Sequence, residues 1–196
     1  MTTSKPKIGF TKVYCGSMYS GKTRRLLDDL ERLQYAKQTF QLFKPDIDTR
    51  YGIDTTTTHT KTNTLSSTRI PIDNPSNILD LVLPKTDVVG IDEIQFFDIS
   101  ILDVIHNLEQ KGKRIITSGL DMYATGEPWP VTQRLLCTAK YIEKVHAVCL
   151  DCGDDAYYSY ALDKDINSAN QINLGSTEKY IPLCQTCAAI RKSAIS

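Results

Sequence analysis

The sequence predicts an α/β fold, with a mostly parallel sheet, helices on both of its faces and a small cysteine-rich unit at the C-terminus. Three observations support this fold class. Strand-like and helix-like segments alternate along the chain, a glycine-bracketed loop joins the first strand to the first helix, and two Cys-x-x-Cys pairs lie near the C-terminus. Such alternation is typical of parallel sheets, because parallel neighbours need a crossover connection that is usually a helix.

The apolar pattern places the elements in order. Ile8–Cys15 is predicted to be a buried strand, and Thr23–Lys37 an amphipathic helix whose leucines fall on one face. Asp46–Thr68 is polar and Thr-rich, has neither helical nor clean strand periodicity, and is expected to be a mobile or functional loop. Further strands are predicted at Thr39–Lys44, Val88–Asp92 and 114–120, and further helices at 75–83 with Ser76 as cap, at 99–112 with Gly112 as stop, and at 131–141.

The loop after the first strand matches a phosphate-binding pattern. Its sequence, GSMYSGKT, fits G-x-x-x-x-G-K-[ST], the Walker A motif or P-loop, and has the required strand before it and helix after it. Backbone N–H groups and the helix N-terminus would face the phosphates of ATP, and the lysine would neutralise their oxygens. A glycine-rich turn that matches by coincidence is the alternative. The predicted ATP-binding residues here are Gly16, Ser17, Met18, Tyr19, Ser20, Gly21, Lys22 and Thr23.

Two acids end a later strand. Asp92 and Glu93 follow an apolar run, at the place where P-loop proteins hold magnesium and a catalytic carboxylate. Asp92 is predicted to bind Mg²⁺ together with the Thr23 hydroxyl, and Glu93 to accept a proton from the nucleophile. Solvated surface acids are the alternative. The pair leaves the nucleophile open, since water would give an ATPase and a substrate hydroxyl would give a kinase.

Four of the six cysteines form two Cys-x-x-Cys pairs. Four thiolates in this pairing suit a closed tetrahedral Zn²⁺ site with a structural role, although the insert between the pairs is longer than in most zinc ribbons. Two redox-active pairs are the alternative. Cys15 and Cys137 are predicted to be buried small apolar side chains. The predicted zinc ligands are Cys149, Cys152, Cys184 and Cys187, and the histidines predicted to be structural or exposed are His59, His106 and His146.

Composition and charge disfavour several classes of protein. Lys plus Arg and Asp plus Glu number 23 each in 196 residues, so no basic excess indicates a nucleic-acid partner. No stretch approaches the roughly 20 apolar residues of a membrane span, so no membrane partner is expected. A cytoplasmic protein is predicted, with residues 1–145 as the ATP-binding domain and residues 146–196 as a zinc-ribbon-like domain.

Several motifs follow one another in a specific order. After the P-loop come DTRYG at Asp48–Gly52, DEIQFF at Asp92–Phe97 and SGLD at Ser118–Asp121, and GSTEKY at Gly175–Tyr180 lies between the two cysteine pairs. This order resembles the thymidine kinase family, in its zinc-containing, tetrameric type. The resemblance extends over nearly the whole chain, and DEIQFF together with the double Cys-x-x-Cys is its most specific part.

The resemblance implies transfer of the γ-phosphate of ATP to the 5′-hydroxyl of thymidine or deoxyuridine, with Mg²⁺, in pyrimidine deoxynucleotide salvage. It implies that Glu93 is the base, that Arg50 lies near the phosphates and that the protein is a homotetramer. In the family, a lasso loop between the zinc knuckles closes over the nucleoside and binds the base largely through backbone groups. For Phe96 and Leu120, the alternative to a nucleoside-binding role is packing in the core. For Tyr180, the alternative is packing against the zinc knuckle. The residues that match the nucleoside pocket are Met18, Phe96, Leu120, Ser159, Gly175 and Tyr180.

The sequence departs from the family pattern in the pocket region. Ala124 follows Tyr123 where an aromatic residue is common, and Trp129 stands where Phe is usual. Tyr160 and Ala161 stand where basic residues are usual. The rival function is a zinc-ribbon P-loop ATPase acting on nucleic acid. It would share the P-loop, the acids and the cysteines, but its basic face is missing from this sequence.

Overall fold

The computed structural model describes residues 8–47, 55–57, 64–162 and 179–193. Strands alternate with helices over most of this length, as the sequence predicts. The strands are β1 Phe10–Gly16, β2 Phe40–Pro45, β3 Thr55–Thr57, β4 Thr64–Ser66, β5 Thr68–Ile70, β6 Val88–Ile91, β7 Arg114–Leu120, β8 Tyr141–Val145, β9 Ala147–Val148, β10 Asp155–Ala156, β11 Tyr158–Ala161 and β12 Tyr180–Leu183. The helices are α1 Lys22–Tyr35, α2 Asn77–Leu81, α3 Ile101–Gln110, α4 Pro130–Thr138 and α5 Gln185–Ser193, with a short 3-10 helix at Ile94–Phe96.

Six strands form the central sheet, in the order β5-β2-β6-β7-β1-β8, and each neighbouring pair is parallel. The predicted mostly parallel sheet is confirmed. Because the strands are parallel, their C-terminal ends lie along one edge. Gly16 of β1 is level with Leu120 of β7, and Ile91 of β6 is level with Thr117. The loop after β1 and the acids after β6 therefore meet at this edge, where open α/β sheets bind their ligands.

Helices cover both faces of the sheet, because alternate residues of a strand point to opposite faces. Val13 and Cys15 of β1 pack into the cluster that contains α3 and α4. Tyr14, between them, packs on the other face with Leu26 and Leu30 of α1. The buried leucines of α1 thus fix one helix across the middle of the sheet, directly after the P-loop.

The last strand of the sheet, β8, begins where the sequence predicts the end of a helix. Helix α4 ends at Thr138, since Ala139 adopts an extended conformation and the Lys140 N–H donates to the Thr11 carbonyl of β1 at 3.0 Å. The prediction of a helix through residue 141 is therefore wrong at its C-terminal end. β8 is an edge strand whose side chains are mostly exposed, so its sequence carries no apolar strand pattern.

Three smaller predictions need correction. The segment predicted as a loop around Asp46–Thr68 contains the antiparallel pair β3–β4 and the start of β5, which pairs with β2. Ser76 occupies the N-cap of α2, but its hydroxyl bonds to the Asn74 side chain and caps no backbone N–H. Cys15 is buried as predicted, whereas Cys137 is exposed.

A small unit packs around the cysteine pairs. β9 pairs with β10 and β11 with β12, both antiparallel, and α5 follows. Its buried core contains Tyr160 and Leu183 together with Ala147, Ala156, Ala188 and two of the cysteines. The division of the chain at residues 145 and 146 stays a prediction.

Some predicted features lie outside the described residues. These are Arg50, His59, Gly175 and all but the ends of the predicted lasso loop. His106 and His146 are exposed, as predicted. Among the residues that the structure describes, no helix has both the length and the apolar character needed to cross a membrane.

Candidate active site

The P-loop, residues 16–23, turns sharply between β1 and α1. Gly16 has φ 146° and Gly21 has φ 83°, and α1 begins at the next residue, Lys22. A Cβ atom at Gly16 would lie only 2.1 Å from the Val145 carbonyl oxygen of β8. The loop thus requires glycine at its first position for space as well as for conformation.

The interior of the P-loop is buried and polar. The Ser17 carbonyl accepts hydrogen bonds from the Ser20 hydroxyl at 2.8 Å and from the Lys22 Nζ at 2.6 Å. Burial lowers the pKa of Lys22, although the nearby carboxylates of Glu93 and Asp92 act to raise it. A buried ammonium group at the start of a helix makes the loop a suitable site for phosphate oxygens, which would supply opposite charge.

Replacing Gly16 by Ala should destabilise the protein by about 2–5 kcal/mol, because the new methyl group meets a backbone carbonyl and the backbone conformation is strained. Gly126→Ala is a matched control. Gly126 also has positive φ, 98°, but no atom lies within 4 Å of an added Cβ, so about 1–2 kcal/mol is expected. Urea unfolding of both variants tests the difference. Equal losses would contradict the close approach of β8 to the P-loop.

Asp92 lies at the centre of the sheet edge and is buried. Its Oδ1 accepts hydrogen bonds from the Thr23 hydroxyl at 3.2 Å and from the Ser118 hydroxyl. Burial raises the pKa of Asp92 to about 6, and the charge of Glu93 adds to this, whereas the Ser118 hydroxyl lowers it. Carboxylate and hydroxyl oxygens are the ligands that Mg²⁺ prefers, so the Thr23–Asp92 pair fits that ion.

Glu93 follows in a backbone conformation that is unusual for a residue with a side chain. Its φ of 50° and ψ of 42° lie in the left-handed region, and the 3-10 helix begins at the next residue. Gln95 donates from its Nε2 to the Glu93 Oε2 at 2.5 Å, and the Gln95 Oε1 accepts from the Leu120 N–H at 3.0 Å. The Glu93 side chain is half-buried beside a buried acid, which is a suitable position for a proton acceptor.

The described residues that are predicted to bind the nucleoside include two groups, one formed by Met18 and Ser159 and the other by Phe96 and Leu120. Ser159 of β11 accepts a hydrogen bond from the Met18 N–H at 2.9 Å, so the small C-terminal unit contacts the P-loop directly. Leu120 and Phe96 are joined through Gln95, which precedes Phe96 and bonds to Leu120. Tyr180 is level with Ala161 in the β11–β12 pair and is half-buried. The nucleoside-binding role of each residue stays a prediction.

Three aromatic rings pack together at the position where the sequence departs from the family pattern. Trp129 stacks on Tyr123 with ring centroids 3.8 Å apart, and Phe96 meets Trp129 edge-on at 5.5 Å. Trp129 is buried, and no described residue accepts a hydrogen bond from its indole N–H. Tyr123, although it comes earlier than the aromatic residue of the family pattern, therefore packs on the same Trp129 ring as Phe96.

The four paired cysteines converge on one point, and their sulfur atoms all lie within 4.8 Å of one another. The Cys152 and Cys184 sulfurs are 3.7 Å apart. Two sulfurs on a tetrahedral zinc ion lie about 3.8 Å apart, given Zn–S bonds of about 2.3 Å, whereas a disulfide needs about 2.05 Å. The convergence of all four sulfurs on one point fits a single zinc ion better than two separate redox pairs.

Backbone hydrogen bonds and one ion pair support the cysteine cluster. The Cys187 N–H donates to the Cys184 sulfur at 3.4 Å, and the Cys149 N–H donates to the Asp154 carbonyl at 2.8 Å. Arg191 of α5 forms two hydrogen bonds with Asp151, at 2.6 and 2.8 Å. This ion pair ties the turn of the first cysteine pair to α5, the helix that carries Cys187.

Thiol labelling should distinguish the cysteines by environment. The native, zinc-loaded protein is expected to react quickly at Cys137 alone, because Cys15 is buried and burial raises its pKa to about 11. Chelating the zinc should expose the four paired thiols, and Cys15 should react only after unfolding. Mass spectrometry of the labelled protein checks this order. Fast labelling of the paired cysteines before chelation would contradict a closed metal site.

Sequence reasoning missed three polar residues of the site. Gln95 and Ser118 lie inside the DEIQFF and SGLD motifs, and the motifs were the available signal. Lys144 of β8 pairs with the buried Asp121 at 2.9 Å, and no sequence feature indicated this contact. Burial alone would lower the pKa of Lys144, but the hydrogen bond and charge of Asp121 leave it raised.

A parallel α/β sheet whose glycine-bracketed loop, buried lysine and paired acids meet at one edge has the arrangement of P-loop nucleotide-binding proteins. Residues 9–188 match the thymidine kinase family model. The chain therefore belongs to the thymidine kinase family, and it is an enzyme of that family.

Similar proteins come from several bacteria. A thymidine kinase of Porphyromonas gingivalis is 44% identical over 91% of this chain and 84% of its own length. A thymidine kinase of Bacteroides thetaiotaomicron is 42% identical over 91% of this chain and 86% of its own length. One from a Rhodothermus species is 40% identical over 92% of this chain and 81% of its own length. Family membership argues against the rival ATPase acting on nucleic acid.

Proposed function

We propose that the protein transfers the γ-phosphate of ATP to the 5′-hydroxyl of thymidine, and of deoxyuridine, at the edge of the sheet where the P-loop meets Asp92 and Glu93. The observation that carries this proposal is the position of Glu93. Its half-buried carboxylate is next to the Thr23–Asp92 pair and is held by a neutral amide. A carboxylate held there suits the deprotonation of a hydroxyl that attacks a phosphoryl group.

The P-loop would bind the phosphates of ATP. Its backbone N–H groups and the N-terminus of α1 supply donors, and Lys22 supplies the positive charge. Arg50 would add a second positive charge near the transferred group, as the family resemblance implies. The hydrogen bonds from the Ser17 hydroxyl to Ala156 of β10 and from the Met18 N–H to Ser159 of β11 would hold the loop in its binding shape.

Thr23 and Asp92 would hold Mg²⁺. When bound, the ion would neutralise charge that develops on the phosphate oxygens during transfer. Ser118 would orient Asp92, because its hydroxyl donates to the Oδ1 atom that also accepts from Thr23. Burial excludes water from this carboxylate and strengthens its interaction with a cation.

Thymidine would lie between the two groups of pocket residues. The Ser159 hydroxyl accepts from the Met18 N–H, so its own proton remains available to donate to the nucleoside. Phe96 and Leu120 would contact the base or sugar on the side of β7, and Tyr180 and Gly175 on the side of the lasso loop. The backbone of that loop would read the base edge, which predicts acceptance of deoxyuridine and rejection of deoxycytidine.

The four-cysteine site would hold one structural zinc ion, with no open coordination position for catalysis. A homotetramer that works in pyrimidine deoxynucleotide salvage in the cytoplasm completes the proposal. Residues 1–145 would form the ATP-binding domain, and residues 146–196 the zinc-binding domain that closes over the nucleoside.

ADP release, measured with one candidate acceptor at a time, tests this function. Thymidine and deoxyuridine should stimulate ATP consumption strongly. Deoxycytidine, single-stranded DNA and water alone should give only background rates. Stimulation by DNA but by no nucleoside would overturn the proposed substrate and favour the nucleic-acid-dependent ATPase.

A further inference from the structure

We propose that Gln95 is a positioning residue for the phosphoryl transfer, and that it orients the Glu93 carboxylate by tying it to the last peptide of β7. This inference rests on the proposed role of Glu93 as the base. The amide of Gln95 lies between the two elements, with its Nε2 2.5 Å from the Glu93 Oε2 and its Oε1 3.0 Å from the Leu120 nitrogen.

The chemistry of the partners fixes the orientation of this amide. The Leu120 backbone N–H can only donate, so the Gln95 atom that faces it must be the oxygen. The Gln95 NH2 group then necessarily faces Glu93, where it can only donate. A rotated amide would leave two donors facing each other in a buried place, which is costly. The Leu120 N–H thereby fixes the Gln95 amide in the orientation in which its NH2 group donates to Glu93.

The surroundings of Gln95 leave its side chain little freedom. Gln95 is 3% exposed, and a Cβ atom on Gly119 of β7 would lie 2.6 Å from its Oε1. The Leu120 carbonyl in turn accepts from the Thr132 hydroxyl of α4 at 2.8 Å. Strand β7, which bears Leu120 of the predicted nucleoside pocket, is therefore also the strand that positions Gln95 and, through it, the Glu93 carboxylate.

The backbone of Glu93 is the other half of this arrangement. Its left-handed conformation costs about 1 kcal/mol or more for a residue with a Cβ atom, so it persists only where neighbouring contacts hold it. The bond from Gln95 engages Oε2, which leaves Oε1 as the oxygen that would take the proton of the substrate hydroxyl. Gln95 touches no reacting atom in this account and acts through Glu93.

A purely structural role makes a different prediction. Gln95 would then be a satisfied buried amide whose loss loosens the end of β7, and turnover would fall whether or not Glu93 is present. A positioning role requires that the Gln95 effect depends on Glu93. A double-mutant cycle between the two positions separates these cases.

The test uses the full-length, zinc-loaded enzyme with Gln95→Glu, which keeps an oxygen for the Leu120 N–H and replaces the donor to Glu93 by an oxygen. We expect kcat to fall on the order of 10²-fold through misplacement of the base. The KM values for ATP and thymidine should change by less than about threefold, since the loss is specific to the chemical step. Gln95→Asn, a shorter neutral amide, covers the case in which the buried charge prevents folding, and the same kcat loss is expected.

The decisive comparison is made in the Glu93→Gln background. In that background, a Gln95 substitution should lower kcat no further. The double variant that combines Glu93→Gln with Gln95→Glu should also recover part of the Tm lost in Gln95→Glu alone, because an amide again faces a carboxylate. An equal fall of kcat in both backgrounds, or normal turnover of both Gln95 variants, would overturn the positioning role alone. Normal turnover of Glu93→Gln by itself would overturn the base assignment and this inference with it.

Discussion

Replacing Glu93 by Gln should lower kcat on the order of 10²–10⁴-fold, because the amide keeps the shape of the side chain but cannot accept the proton of the 5′-hydroxyl. The Asp92–Thr23 pair and the P-loop do not depend on the Glu93 charge for their hydrogen bonds. Binding of ATP should therefore change little. Steady-state kinetics with thymidine and a direct ATP-binding measurement separate the two effects.

Glu31→Gln provides the matched control. It makes the same chemical change on α1, more than two helical turns beyond the P-loop, and should leave kcat within about twofold, as expected of a substitution away from the site. Near-normal turnover of Glu93→Gln would remove Glu93 from the role of base. A loss of ATP binding equal to the loss of kcat would instead assign Glu93 to nucleotide binding.

Replacing any one of the four paired cysteines by Ser should remove the zinc and destabilise the fold by more than about 4 kcal/mol. The described core of the unit around the site is small, with three alanines, two cysteines, Tyr160 and Leu183, and buries too little apolar surface to hold its shape without the metal. Differential scanning calorimetry and metal analysis of each purified variant measure the effect. The four variants are Cys149→Ser, Cys152→Ser, Cys184→Ser and Cys187→Ser.

Loss of zinc should also weaken ATP binding, because the P-loop bonds to the small unit. The Ser17 hydroxyl donates to the Ala156 carbonyl at 3.3 Å, and the Met18 N–H donates to Ser159. Cys137→Ser is the control, since the exposed Cys137 thiol takes no part in the cluster, and a change within about 0.5 kcal/mol is expected. Purified protein without zinc but with unchanged Tm and full activity would contradict a structural metal site.

The features that the sequence predicts well are those encoded by neighbouring residues. The P-loop is recognised from glycines, a lysine and a threonine within residues 16–23, and the paired acids are recognised from their position at the end of one apolar strand. The parallel sheet follows from alternation of short segments, each with its own apolar period. The fold class and the convergence of these groups at one edge could therefore be predicted without the structure.

The features that were missed depend on contacts between distant segments. β8 is recognisable only by its pairing with β1, and the Ser118 bond joins β7 to Asp92, the residue directly after β6. The Tyr123–Trp129 stack needs the turn before α4 to fold back, which no local pattern encodes. Cys137 was misplaced for a related reason, since the sequence gives the helix but not which of its faces meets the sheet.

The proposed reaction is tested most directly by counting its products. Wild-type enzyme, ATP, Mg²⁺ and thymidine are incubated together, and ADP and thymidine monophosphate are measured over the same time. One nucleoside monophosphate is expected for each ADP, with both products reduced together in Glu93→Gln. ADP formed without the monophosphate, at a rate that thymidine does not change, would contradict phosphoryl transfer to the nucleoside.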